Sequence, residues 1–151
     1  MARKRAYLAV LIVSVLTIAG AWLFQWAGYA PCPLCLKQRW AWYGAIALAG
    51  GFYATAPNNR WGFAALALVM AGSAVFGIYH TGVEWAWWQG PTTCAGDLSG
   101  SLLPNLTNEP VISCEKPALY VLGLSLASWN AVLSGALAAF AAIQVSGSRA
   151  R

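Results

Sequence analysis

The chain is predicted to be an all-α polytopic membrane protein, a four-transmembrane-helix up-down bundle with a long second outer loop. Three observations carry that prediction. Hydrophobic residues make up 60% of the chain and charged residues only 9%, against about 25% charged in a soluble domain. The apolar residues fall into four runs, each of about the length that crosses a bilayer. The charges are sorted between the gaps. Arg3, Lys4 and Arg5 precede the first run, Arg60 lies between the second and third, and Arg149 and Arg151 end the chain. All four acids, Glu84, Asp97, Glu109 and Glu115, fall between the third and fourth runs. Basic residues stay on the cytoplasmic side of a membrane protein, so both termini are expected inside and the acidic segment outside. At 151 residues the chain is expected to form a single membrane domain, 1–151. The formal net charge of +5 does not indicate nucleic acid, because no basic stripe is interleaved with exposed aromatics.

The first span is expected at residues 7–26, which no charge interrupts. A cleavable leader is the alternative, but the run is long for a signal peptide and the rest of the chain is equally apolar. Residues 27–32 form a short outer loop. The second span is expected at 33–56, with Pro33 in its first turn, where the missing N–H costs nothing. Pro57-Asn58-Asn59-Arg60 has turn composition. The third span is expected at 61–79; its Ser73 and Gly77 are small residues at which helices approach closely. Residues 80–126 form the second outer loop. That loop carries the acids, Pro91, Pro104, Pro110, Pro117 and two cysteines. Glu84-Trp85-Ala86-Trp87-Trp88 reads as an interfacial anchor, since tryptophan concentrates at headgroup level. Residues 118–126 are expected to lie at the interface and 127–145 to form the fourth span. Asn105-Leu106-Thr107 matches a glycosylation acceptor but is common by chance. No repeat of 20–50 residues is visible.

The chemistry is concentrated in Pro31-Cys32-Pro33-Leu34-Cys35-Leu36-Lys37-Gln38-Arg39. A helix starting near Pro33 carries both cysteines at its N-terminus, where partial positive charge favours thiolate over thiol. Arg39 follows Cys35 by four residues and Cys32 by seven, so the three are expected on one helix face. A cation one turn below a reactive sulfur suits electron transfer from a dithiol to a lipid-soluble acceptor that becomes anionic when reduced. Arg39 also has a plainer reading, snorkelling to the interface. Gln38 is a candidate contact to the same ligand, or simply an interfacial polar residue. His80 could donate to a bound carbonyl or move protons, or be structural. Trp42 lies one turn beyond Arg39 and could line the same pocket. Four cysteines allow three pairings; Cys32–Cys35 and Cys94–Cys114 are favoured because each pair shares a loop. A zinc site is disfavoured because Cys94 and Cys114 are not a close pair.

These residues resemble the DsbB family of bacterial disulfide-forming membrane proteins. The resemblance rests on Pro31-Cys32-Pro33-Leu34-Cys35 with Gln38-Arg39 behind it, Tyr79-His80, Pro91-Thr92-Thr93-Cys94 and Cys114. It continues through Leu122-Gly123-Leu124-Ser125 and Trp129-Asn130, and so covers nearly the whole chain. It implies a four-helix bundle in the bacterial inner membrane that acts as a thiol:quinone oxidoreductase. Cys94 and Cys114 would take electrons from a periplasmic DsbA-type oxidase of thioredoxin fold. Cys32 and Cys35 would pass them to ubiquinone or menaquinone, with no metal. Arg39 would correspond to the quinone-site arginine, with His80 and Gln38 as further candidate contacts. The second outer loop is shorter than the best-known pattern, and the role of Glu84 is left open. The alternative class is a non-enzymatic scaffold or transporter subunit with structural disulfides, although the span centres lack the charges a transporter would use. A quinone reductase of the vitamin K epoxide reductase type would carry its cysteine pairs in the opposite chain order.

Overall fold

A computed structural model describes residues 2–92, 94 and 113–147. Asp97, Pro104, the 105–107 tripeptide, Glu109, Pro110, Arg149 and Arg151, on which parts of the sequence reading rest, lie outside the described residues. Among the described residues four helices form: α1 (Ala2–Trp26), α2 (Pro33–Thr55), α3 (Arg60–Glu84) and α4 (Leu126–Ser146). A two-stranded antiparallel hairpin, β1 (Tyr120–Val121) and β2 (Leu124–Ser125), precedes α4. By length and composition α1, α3 and α4 are able to cross a membrane. The α2 helix is of similar length but carries Lys37, Gln38 and Arg39 near its start.

Side-chain bonds at both ends set α1 and α2 antiparallel. At one end Arg3 donates to the Asn58 carbonyl at 2.9 Å and Tyr7 to the Asn59 carbonyl at 2.6 Å. At the other, Arg39 donates to Gln25 Oε1 at 2.7 Å and to the Ala21 carbonyl at 3.2 Å. The helices then pack in chain order, α1 on α2, α2 on α3 and α3 on α4, while α1 and α4 scarcely meet. Tyr7, Trp42, Phe63, Leu66 and Met70 fill the shared core. Leu16, Leu68, Val75 and Ile143 point outward and are exposed, the apolar outer surface that a bilayer requires.

Small residues decide how close α3 and α4 come. A Cβ added at Gly77 would stand 2.8 Å from the Ala131 amide nitrogen and 2.9 Å from its Cα. That approach brings a buried polar network into register. Trp42 Nε1 donates to Asn130 Oδ1 at 2.6 Å, and the Asn130 amide donates to the Ser73 carbonyl at 3.3 Å. Ser134 donates to Ser73 Oγ at 2.9 Å. Three helices are thereby tied where no water is available to replace a lost partner.

Two segments differ from the sequence expectation. The α3 helix continues beyond residue 79 to Glu84, so His80 and Glu84 lie on a helix rather than in a loop. It stops where Ala86 turns left-handed at φ 56° and Trp87 N–H caps the Gly82 carbonyl at 2.8 Å, a glycine-free version of a common helix terminator. Residues 118–126 contain the hairpin, which turns through Leu122 and Gly123, both at positive φ (52° and 83°). Two successive left-handed residues match the right-handed twist of a tight hairpin. Trp129 Nε1 pins that hairpin by donating to the Val121 carbonyl at 2.8 Å.

The Gly77 contact is testable. Gly77→Ala should lower thermal stability in detergent by about 1–3 kcal/mol through overpacking against backbone. Gly72→Ala, in open space on the same helix, should be neutral or slightly stabilising. Equal melting of the two variants would show that the α3–α4 approach does not limit stability.

Candidate functional site

Cys32 is the N-cap of α2, with extended backbone (φ −70°, ψ 165°), and Pro33 follows in the first turn. Its sulfur accepts the Cys35 backbone N–H at 3.1 Å, taking the place of a capping oxygen. Because Cys32 stands outside the helical register, the expected single face divides. Cys35 and Arg39 line one cavity; Cys32 is buried in a cluster with Leu34, Val83, Cys94 and Cys114, against which Cys35 also packs. Cys94 and Cys114 are joined as a disulfide, and Cys32 and Cys35 are free thiols. Both sulfurs of the disulfide pair belong to residues that are almost fully buried.

His80 reaches the cluster from α3 and is 1% exposed. Its Nε2 lies 3.6 Å from the Cys32 sulfur, and its Nδ1 lies 3.2 Å from the side-chain amide of Gln38. Cys–His–amide is a recognised arrangement for holding an imidazole toward a thiol. Gln38, a candidate ligand contact in the sequence, thus has a partner within the protein. The hydrogen bond from Cys35 is the largest influence on Cys32 and holds it down to about 5; burial opposes this and His80 lowers it further. The sulfurs of Cys32 and Cys35 and a ring nitrogen of His80 fall within 4.8 Å of one another. A soft cation could bridge such a group, but two of its three donors are a dithiol pair that oxidation would remove.

On the other side of Cys35 is a cavity of about 300 Å³ between α1, α2 and α4. Leu16, Phe24, Trp42, Trp129 and Leu133 make its walls apolar, and Gln38, Arg39 and Asn130 bring polar groups to it. Its guanidinium is fixed by the bonds to Gln25 and Ala21 and stacks over Trp22 at 5.3 Å. Two bonds leave further donors of the five-donor fork for a ligand. The cavity exists because α1 and α4 scarcely meet.

Glu84, Ser125 and Ser128 also belong to the site, with no role for them evident in the sequence. Glu84 stands one helical turn beyond His80, 4.0 Å from its Nε2, and Ser125 donates to it. Ser125 in turn lies 3.0 Å from Ser128 Oγ. The i, i+4 spacing of His80 and Glu84 was the available signal, hidden by ending α3 too early.

The family model described as disulfide bond formation protein DsbB matches residues 3–144. The chain belongs to the DsbB family. A disulfide bond formation protein B of Pseudomonas syringae pv. tomato is 35% identical over 138 residues, covering 84% of this chain and 80% of that protein. Another, of Albidiferax ferrireducens, is 31% identical over 144 residues, covering 87% and 81%. No solved structure matches the chain. As a DsbB-family member it is a multi-pass membrane protein with a role in disulfide formation.

The thiol chemistry yields a pH prediction. A lowered value means that the Cys32 thiolate persists as pH falls and is lost only on passing through about 5. Iodoacetamide labelling of reduced protein, read by mass spectrometry at Cys32, should therefore be half-maximal near that pH. In Cys35→Ala the midpoint should move upward, toward that of an ordinary thiol. A midpoint unmoved by Cys35→Ala would remove Cys35 as the cause.

Proposed function

We propose that this DsbB-family chain is a thiol:quinone oxidoreductase that reoxidises a soluble periplasmic DsbA-type dithiol oxidase and passes the electrons to ubiquinone or menaquinone. The observation that carries this reading is the place of the Cys-x-x-Cys pair between a disulfide and a cavity. Cys32 shares a buried cluster with the Cys94–Cys114 disulfide, and Cys35 faces the cavity that holds Arg39. One pair of sulfurs thus adjoins both a thiol relay and an apolar pocket.

In this reading the incoming thiolate attacks the Cys94–Cys114 disulfide, most readily at Cys94, and releases Cys114. Cys114 attacks the Cys32–Cys35 disulfide in turn, since exchange proceeds by thiolate attack on an accessible sulfur. His80 and the Cys35 hydrogen bond stabilise negative charge on Cys32, and Gln38 orients the imidazole. Reoxidation of the pair, a Cys32 thiolate and a Cys35 thiol, then releases two electrons and one proton.

The cavity suits a flat apolar ring with polar edges, at the small end of ligand pockets. A quinone bound there supplies the two-electron acceptor. Arg39 is a fixed cation in a mostly apolar wall, where water screens charge poorly. It binds the ring's polar edge and favours negative charge beside it. The topology that goes with this reading is four spans in the bacterial inner membrane, with both termini cytoplasmic and both cysteine pairs periplasmic.

Two experiments test these assignments. Arg39→Ala should lower quinone turnover by roughly 100-fold, the scale for losing one pre-organised donor. Arg39→Lys should fall between Ala and wild type, because it keeps charge but not the fork. Initial rates against quinone concentration, on equal amounts of folded protein, measure both; unchanged rates in Arg39→Ala would take Arg39 out of the site. Separately, Cys94→Ser should abolish oxidation of the partner while sparing quinone reduction by a small dithiol, and Cys35→Ser should abolish both. Equal loss of small-dithiol activity in the two variants would overturn the relay order.

A further inference from the structure

Glu84 is a carboxylic residue with no part in the relay described above. Its side chain is 4% exposed, and its Oε1 lies 4.0 Å from His80 Nε2. The same nitrogen lies 3.6 Å from the Cys32 sulfur. One ring nitrogen therefore sits between a thiol and a carboxyl group, both out of water. Among the described residues, the titratable groups that face Glu84 are His80 on its own helix and Cys32 and Cys35 from the start of α2. From the start of α4 come hydroxyls only, Ser125 on the carboxylate and Ser128 behind it, with Thr81 Oγ1 3.2 Å from Ser128. The nearby Cys94–Cys114 disulfide does not titrate.

Two anions this close, both poorly hydrated, oppose each other strongly, so the site favours one negative charge over two. If the charge is on sulfur, the proton belongs on the carboxyl. We propose that Glu84 is the proton reservoir of the dithiol site, keeping a proton while Cys32 is a thiolate and exchanging it with Cys32 through Nε2 of His80. The step is balanced within the protein. Cys32 thiolate and Glu84 carboxylic acid become Cys32 thiol and Glu84 carboxylate; one O–H bond breaks, one S–H bond forms, and no electron moves. The net charge of the pocket is the same before and after. Its use is at the moment a disulfide to Cys32 breaks, when a new anion appears out of water and the proton already on Glu84 keeps a second one from standing beside it. The Ser125 and Ser128 hydroxyls hold the carboxyl in place and begin a hydrogen-bonded route by which the proton is replenished.

This inference rests on the dithiol reading of Cys32 and Cys35 and is independent of quinone. The test is infrared spectroscopy of the reduced, quinone-free full-length protein as pH is raised. Wild type should show a carboxylic acid band that outlasts the loss of the Cys32 S–H signal and disappears in a later step. Glu84→Gln should lack that band, and its Cys32 alkylation profile should show one inflection fewer, because the two groups titrate as a coupled pair. In Cys32→Ser, which removes the competing anion, the band should disappear at a pH lower by about one unit or more. The Cys32→Ser comparison needs only wild type and a near-isosteric variant, so it stands even if Glu84→Gln folds poorly. A purely structural Glu84, bonded to Ser125, would titrate at the same pH with or without Cys32. That result, or loss of the acid band before the S–H signal, overturns the proposal and leaves the relay intact. Absence of any titrating thiolate at Cys32 would overturn the dithiol reading as well.

Discussion

The amide of Asn130 is the constraint on which the site depends. It receives the Trp42 indole proton from α2 and donates to the Ser73 carbonyl on α3, from a position on α4. Hydrogen bonds of this kind between membrane helices are individually modest, about 1 kcal/mol. Their directionality matters more than their strength. Apolar packing alone would let α2 slide along α3 and α4, whereas an amide with two named partners admits one register. Gly77 makes that register reachable by letting the α4 backbone approach. Once α2, α3 and α4 are so fixed, Cys32 stands opposite His80, and Trp42 and Asn130 become the floor of the cavity beside Cys35.

The site is polarised by a single geometric fact, that Cys32 precedes the α2 helix and Cys35 lies within it. The two sulfurs lie side by side, but only Cys35 also borders the cavity. Toward the disulfide, the surroundings are Leu34, Val83 and an imidazole, and the imidazole favours a charged sulfur against the cost of burial. Toward the cavity, they are aromatic and aliphatic walls with one guanidinium. Two neighbouring sulfurs with such different surroundings form a path with a direction.

The apolar runs made the helices legible in the sequence, and proline before Leu34 and Cys35 marked the start of α2. The four-residue step from Cys35 to Arg39 was also readable, because both residues lie inside one helix and share its period. The position of Cys32 was not, since a cap residue lies outside that period. A cluster of tryptophans signals an interface without marking a helix end; α3 runs on to Glu84 and the tryptophans follow it. The Gln38–His80 and Glu84–Ser125 bonds join residues far apart in the chain. No local pattern announces such pairs, and they follow only from how the helices are set against each other.

The incomplete closure between α1 and α4 has a consequence for selectivity. A cavity closed on every side must enclose its whole occupant, and so measures its length. This one opens sideways between two helices whose outer surfaces are apolar. In the proposed reading, only the head of a lipid-borne acceptor needs to fit beside Arg39, and the isoprenoid tail remains among the acyl chains. Discrimination then rests on the ring and its substituents, with the tail contributing mainly local concentration in the bilayer. Such a protein could serve hosts with different quinone pools by changing a few residues around the ring, without rebuilding the bundle.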